Sequence, residues 1–195
     1  METFAKRFGD EPHRAQYAEM AGRARRSFNR LFWNAGAGCL YDVVDGTNCD
    51  GSIRPNQLIA LSLAFTMLSR AKAASVLNVA QRVLLTPYGL RTLAPADSRY
   101  RGRYEGDPQS RDAAYHQGTV WPWLTGPFVT AYLRFNRTEH ARVRVAEWLN
   151  GLRSHLSEAG LGQVSEVFDG DPPHRPGGCI AQAWSVAELL RISTV

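Results

Sequence analysis

Apolar residues return at three- and four-residue spacing through Tyr17, Ala21, Ala24, Phe28, Leu31 and Phe32, which predicts an amphipathic helix from Glu11 to Trp33. Asp10 stands where an N-cap belongs, and Pro12 falls in the first turn. The Gly- and Asp-rich stretch from Ala35 to Ile53 reads as irregular or short strand. A second helix, Arg54 to Leu68, is apolar nearly all round through Leu58, Ile59, Leu61, Leu63, Phe65 and Met67. Ser69 then caps a third, reaching about Leu85 and striped by Val76, Val79, Ala80, Val83 and Leu84. Thr86 to Thr119 reads as a long irregular connector. Val120 to Phe135 is a mostly apolar fourth helix with an expected kink at Pro127. Thr138 caps a fifth, amphipathic helix through Ala141, Val145, Trp148, Leu152 and Leu156. Ala159 to Gly178 is again irregular, and Cys179 to Ile192 closes the chain as a sixth, mostly apolar helix.

Two alternations coincide. Connectors run long, short, long, short, long, and helices run striped, apolar, striped, apolar, striped, apolar. An all-round apolar helix must be enclosed, whereas a striped one can face water. Helices two, four and six therefore form an inner layer and one, three and five an outer one. Antiparallel neighbours put the three long connectors at one end. The inner helices open with RPNQLIA, YHQGTVW and CIAQAWS, each with a glutamine near its start (Gln57, Gln117, Gln182). A repeat of about 60 to 65 residues exceeds most solenoid units. The expected class is all-α, an α/α toroid of helical hairpins spanning roughly 10–68, 69–135 and 136–193. An irregular helical bundle is the plainer alternative.

Composition narrows the function classes. With 195 residues, 44% hydrophobic and 21% charged, the chain has ordinary globular usage and is not a disordered one. Three cysteines, Cys39, Cys49 and Cys179, show no C-x-x-C and support neither a disulfide framework nor a structural zinc module. His116, His174 and Cys179 lack ligand spacing, and Asp42, Asp45 and Asp50 do not follow the EF-hand template. The net charge of +5 comes from scattered arginines with only two lysines, Lys6 and Lys72. Without a lysine-rich run or a nucleic-acid motif, solvated faces are expected rather than nucleic-acid binding. No P-loop, G-x-G-x-x-G or G-x-S-x-G is present, so no cofactor is expected. Met1 to Arg14 has no apolar signal core, and Val120 to Leu133 is too short to span a bilayer. A cytoplasmic setting without membrane attachment is the expectation.

Ten of the eighteen acidic residues lie in the three long connectors, among Tyr41, Tyr88, Tyr100, Tyr104, Tyr115, Trp121, Trp123 and Phe168. Aromatic faces pack on the C–H faces of a sugar, and carboxylates bind its hydroxyls. A carboxyl pair can hydrolyse a glycoside, one protonating the leaving oxygen and the other activating water. Turn chemistry in polar loops explains the same composition more plainly.

Longer motifs decide the matter. SEVFDGDPPHRPGGCIAQAWSVAEL (Ser165 to Leu189), LLTPYGLRTL (Leu84 to Leu93), YHQGTVWPWLTGPF (Tyr115 to Phe128) and YDVVDG…SIRPNQLIALSL (Tyr41 to Leu63) stand in order. Together they resemble the C-terminal part of glycogen debranching enzymes, in the amylo-α-1,6-glucosidase domain of bacterial and archaeal type, from Ser27 to Arg191. The resemblance implies an inverting glycosidase on an (α/α)6 barrel, acting on the single α-1,6-linked glucose of a trimmed glycogen branch. The glutamate of the S-E-[IV]-F-D-G motif is Glu166 here, the implied general base. Expected sugar contacts are His116, Gln117, Trp121, Arg103, Tyr104, Glu105 and Asp169, with glycogen or limit dextrin as the α-glucan partner.

The family's general acid lies on an earlier hairpin, and no W-M-D-type segment occurs before Leu31. Six helices are also half of a twelve-helix barrel. The chain is therefore expected to be a C-terminal portion, completed by the missing N-terminal half and prone to associate when alone. Glu105, Asp107 and Asp112 are the other carboxylates that could face Glu166 across the rim, at the 6.5 to 9.5 Å an inverting pair needs. A silent α-glucan-binding module and a scaffold without a sugar role are the rival functions.

Overall fold

The computed structural model describes residues 1–194. Helix α1 (Glu2–Arg7) folds back on α2 (Glu11–Leu31). Asp10 caps α2 as expected, its Oδ1 accepting from the His13 N–H at 3.4 Å. No residue of α2 is buried, however. Phe28 and, just past its end, Phe32 and Trp33 pack on the core. Beyond its packing on α1, it is tied to the rest of the fold at its last turns: Asn29 Nδ2 donates to the Met67 carbonyl at 2.9 Å and Lys72 Nζ to Asn29 Oδ1 at 3.1 Å.

The first long connector holds two antiparallel ribbons, β1 (Trp33–Asn34) with β2 (Cys39–Leu40) and β3 (Val43–Asp45) with β4 (Asn48–Asp50). The second helix, expected to Leu68, is only α3 (Asn56–Ser62). Arg134 ends it. Its guanidinium donates to the carbonyls of Leu61 at 2.9 Å, Ser62 at 2.9 Å and Leu63, which a further turn would otherwise satisfy. Helix α4 (Arg70–Val83) is capped by Ser69, whose Oγ accepts from the Lys72 N–H at 3.3 Å.

The second connector is not irregular throughout. It contains β5 (Leu85–Thr86), β6 (Gly89–Arg91) and α5 (Pro108–Tyr115). Val120 and Trp121, expected to open the fourth helix, form β7 (Val120–Trp121) because Val120 pairs with both Arg91 and Phe168. A 3₁₀ turn at Pro122–Leu124 leads into α6 (Thr125–Phe135). Pro127 makes no kink there, since it sits in the first turn of α6, where the missing N–H has no intrahelical partner to lose.

The fifth helix is divided at Leu149 into α7 (Glu139–Trp148) and α8 (Asn150–Glu158). Thr138 caps α7, its Oγ1 accepting from the Ala141 N–H at 3.1 Å. Gly151 lies against the Pro87 carbonyl, in space that a Cβ would fill. The third connector supplies β8 (Val167–Phe168) and β9 (Pro176–Gly177), and α9 (Ala183–Ile192) closes the chain.

The helical expectation holds in the main, but the chain also carries sheet. Strands β5 to β9 form one antiparallel five-stranded sheet in that order. The helical arrangement follows the alternation of patterns: α3, α6 and α9 pack side by side, with α4 against α3 and α6, and α7 against α6. Leu58, Leu61, Phe128, Leu189 and Ile192 meet Val76, Ala80, Val145 and Leu152 in the core between those layers.

The sheet joins the second and third long connectors at one edge. The first is tied there by Ala94 N–H to Ile53 carbonyl at 3.0 Å and by Arg54, which donates to the carbonyls of Thr92 at 3.0 Å and His116 at 2.7 Å. The short connectors meet at the other end, where Arg70 donates to the Phe135 carbonyl at 3.0 Å.

Candidate active site

Glu166 stands at the entrance to β8 on the connector edge, half-buried. Its backbone N–H donates to the Cys179 carbonyl at 2.8 Å, one residue out of register with the β8–β9 ladder. The side chain is held by three donors. Oε1 accepts from the Tyr115 hydroxyl at 2.6 Å and from Gln182 Nε2 at 3.0 Å. Oε2 accepts from the Cys179 N–H at 2.9 Å. Three donors on one carboxylate fill three of its acceptor directions and fix its plane.

These contacts also explain why the sixth helix starts at Ala183 rather than Cys179. The backbone from Gly178 to Gln182 is drawn to Glu166 and to the Val164 carbonyl, which accepts from the Gln182 N–H at 2.9 Å. Gly178 has φ +69°, and a Cβ there would overlap the Glu166 carboxylate. Tyr115 is raised well above the usual phenol range, first by burial and then by its bond to Glu166. It is therefore a donor at any physiological pH.

Behind Glu166 the chain is anchored from the core. The Ser165 N–H donates to Nε2 of buried His155 at 3.2 Å. Phe168 stacks on Tyr88 at 4.6 Å between ring centroids and meets the His155 edge at 4.8 Å. Burial lowers the His155 value from 6.5, favouring the neutral ring whose Nε2 accepts.

Across Tyr115 from Glu166, which does not itself line it, opens a cleft of about 360 Å³, lined by Arg54, Pro55, Asn56, Thr92, His116, Trp121, Trp123, Leu124 and Trp184. Tyr115 forms the link between them: its carbonyl accepts from Trp121 Nε1 at 2.9 Å, and its ring lies 4.7 Å from Trp121 and 4.9 Å from His116. Arg54 fixes the polar wall by donating to Gln117 Oε1 at 2.7 Å beside Asp42 at 3.6 Å.

The sequence-predicted sugar contacts divide into three groups. His116 is exposed in the cleft and stacks on Trp121 at 5.5 Å, 12° from parallel. Trp121 lines the cleft but is only 4% exposed, whereas Trp184, tilted over Trp123 at 5.5 Å, is 49% exposed. Gln117 is bound by Arg54.

A second group braces the loops. Asp169, buried, accepts from the Tyr104 N–H at 2.8 Å and pairs with Arg103 at 3.1 Å. Arg103 also donates to the Pro172 carbonyl at 2.7 Å. The Tyr104 ring is 5.7 Å from Tyr115, so this brace supports the Glu166 surround.

Glu105 forms the third case, exposed in the connector. Of the other rim carboxylates, Asp107 caps α5, accepting from the Ser110 N–H at 2.7 Å. That bond lowers its value from 3.8 and keeps it ionised, which disfavours it as a proton donor. Among the described residues no group of three or more His, Cys, Asp and Glu side chains could hold a metal ion, and no helix is long and apolar enough to cross a membrane.

Tyr115, Gln182, Trp184 and Arg54 are the site residues that sequence reasoning did not assign. Gln182 carried a signal, the glutamine repeated at each inner-helix start. The other two glutamines also stitch connectors to helices: Gln57 Oε1 accepts from the Leu40 N–H at 3.2 Å, and Gln117 takes Arg54.

Comparison with known proteins converges on one family. The family model described as amylo-alpha-1,6-glucosidase matches residues 1–191, extending the motif resemblance N-terminally through α1 and α2. The chain is 31% identical over 161 residues to the glycogen debranching enzyme of Saccharomyces cerevisiae, covering 72% of this chain and 10% of the yeast protein. Neutral trehalase Nth1 from Saccharomyces cerevisiae has the same fold over 99% of this chain and 34% of its own, with a TM-score of 0.71 at 19% identity. The chain thus spans a minor part of the length of both of these proteins.

Proposed function

This chain belongs to the amylo-alpha-1,6-glucosidase family, and we propose that it serves glycogen debranching by supplying the general base for hydrolysis of α-1,6-linked glucose. The observation that carries this is the Glu166 carboxylate, held by three donors at the connector edge next to an aromatic cleft. In an inverting reaction Glu166 takes a proton from water, whose oxygen bonds to the anomeric carbon. The bond from that carbon to the leaving oxygen breaks, and the leaving oxygen takes a proton from a second carboxylic acid about 6.5 to 9.5 Å away. That acid belongs to polypeptide outside this chain, on the first half of an (α/α)6 barrel of which these residues form the second half. His116 and the exposed face of Trp184 bind the sugar, and Arg103 and Asp169 shape the loop.

Glucose release from a glucosyl-branched limit dextrin, assayed with the chain joined to the polypeptide that carries the acid, tests the proposal. The first-formed anomer should be β, and Glu166→Gln should abolish release while leaving glycogen pull-down intact. Release unchanged by Glu166→Gln overturns the base assignment. A second function, a silent α-glucan-binding module, is favoured by the half-exposed indole of Trp184 in the cleft. Pull-down without any release selects it, and failure of both favours a scaffold.

A further inference from the structure

A carboxylate offers about four lone-pair directions, two on each oxygen. At Glu166 both directions of Oε1 are taken, by Tyr115 at 2.6 Å and Gln182 at 3.0 Å. Oε2 has one donor, the Cys179 N–H at 2.9 Å, and its other neighbour is the bare α-carbon of Gly178, so one acceptor direction is left without a donor. The two oxygens are therefore not equivalent. We propose that Tyr115 and Gln182 are positioning residues that saturate Oε1, so that Oε2 is the oxygen receiving the proton from the attacking water. This deepens the assignment of Glu166 as base and rests on it.

The placement of Tyr115 supports the role. It ends α5 and packs edge-on against Trp121, with Trp121 Nε1 bonded to its carbonyl. Its hydroxyl is thus aimed by the cleft wall, so the wall that would meet a sugar also orients the base. Burial and the neighbouring carboxylate keep the phenol protonated, and a protonated phenol can only donate to an ionised partner. Gln182 is held independently, its backbone N–H on the Val164 carbonyl at 2.9 Å. Two donors on separate elements fix the carboxylate plane, as one could not.

The test is carbon-13 NMR of the full chain labelled at glutamate Cδ, the Glu166 signal being identified by its loss in Glu166→Gln. In Tyr115→Phe the signal should shift, because Oε1 loses the hydroxyl that donates to it at 2.6 Å. Gln182→Met should act in the same direction and serves if Tyr115→Phe disturbs packing. A Glu166 signal that keeps its position in both variants, with the amide spectrum elsewhere unchanged, overturns the proposal. Where glucose release is measured, kcat should fall in Tyr115→Phe with KM little changed. The NMR reading needs no turnover. Failure of the base assignment, seen as release indifferent to Glu166→Gln, is therefore distinct from failure of the cradle.

Discussion

Gly178 presents its bare α-carbon to the carboxylate of Glu166, where a Cβ would overlap Oε2. Its φ of +69° is a left-handed conformation, which costs a residue with a side chain roughly 1–2 kcal/mol. Both demands arise because the Cys179 N–H must reach the same carboxylate at 2.9 Å. Gly178→Ala should therefore lower the melting temperature modestly and displace Glu166. A displacement of about 1 Å at a reacting group costs about 10²-fold, so glucose release should fall on that scale. Thermal melts and release assays on the same samples separate the strain from the displacement.

What could be read from the sequence depended on the range of the interactions. The caps at Asp10, Ser69 and Thr138 were legible because each acts three residues ahead. The layer order of α3, α6 and α9 was legible from their all-round apolarity. The five-stranded sheet was not, since its strands run two or three residues and never show a two-residue period. Their pairing is also non-local, as between Val120 and Phe168. Glu166 was found through its motif. Its partner Tyr115 lies 51 residues away, and no local pattern connects them.

Trp121 and Trp184 should respond oppositely to truncation. Trp121 is 4% exposed with its indole N–H bonded inside, so Trp121→Ala should destabilise the fold by about 3–5 kcal/mol. Trp184 is 49% exposed, so Trp184→Ala should leave the melt nearly unchanged. It should instead weaken glycogen binding about tenfold, near 1.4 kcal/mol. Affinity electrophoresis in glycogen gels, beside thermal melts, reads both effects. Unchanged glycogen retardation in Trp184→Ala removes this ring from the sugar site.

His155 should make the fold acid-sensitive. Burial lowers its value from 6.5, so the folded chain binds the proton less readily than the unfolded one. Stability is then full above about pH 6.5 and falls as pH drops below it, until the lowered folded value is passed. The slope is at most about 1.4 kcal/mol per pH unit. Protonation also removes the Nε2 acceptor of the Ser165 N–H, next to Glu166. Denaturant melts between pH 7.5 and 5 on the wild type and His155→Gln check this, and a flatter profile is expected in the variant. Equal slopes would place the sensitivity elsewhere.

The outer face of α9 should govern association. Ser185, Leu189 and Ile192 turn into the core, while Ala183, Trp184, Ala187 and Leu190 face water. Leu190 is 66% exposed, and Ile180, one turn before the helix, is 65% exposed. Apolar residues on one open helix face form a contiguous patch of the kind that mediates protein contacts. The chain alone should therefore elute as concentration-dependent oligomers in size-exclusion chromatography. Leu190→Lys with Ile180→Lys should raise the monomer share without changing the circular dichroism, because neither side chain is packed. Neither residue is among the donors to Glu166, so the same pair should leave its carbon-13 signal in place. A wild type that stays monomeric up to millimolar concentration would show that this face needs no cover.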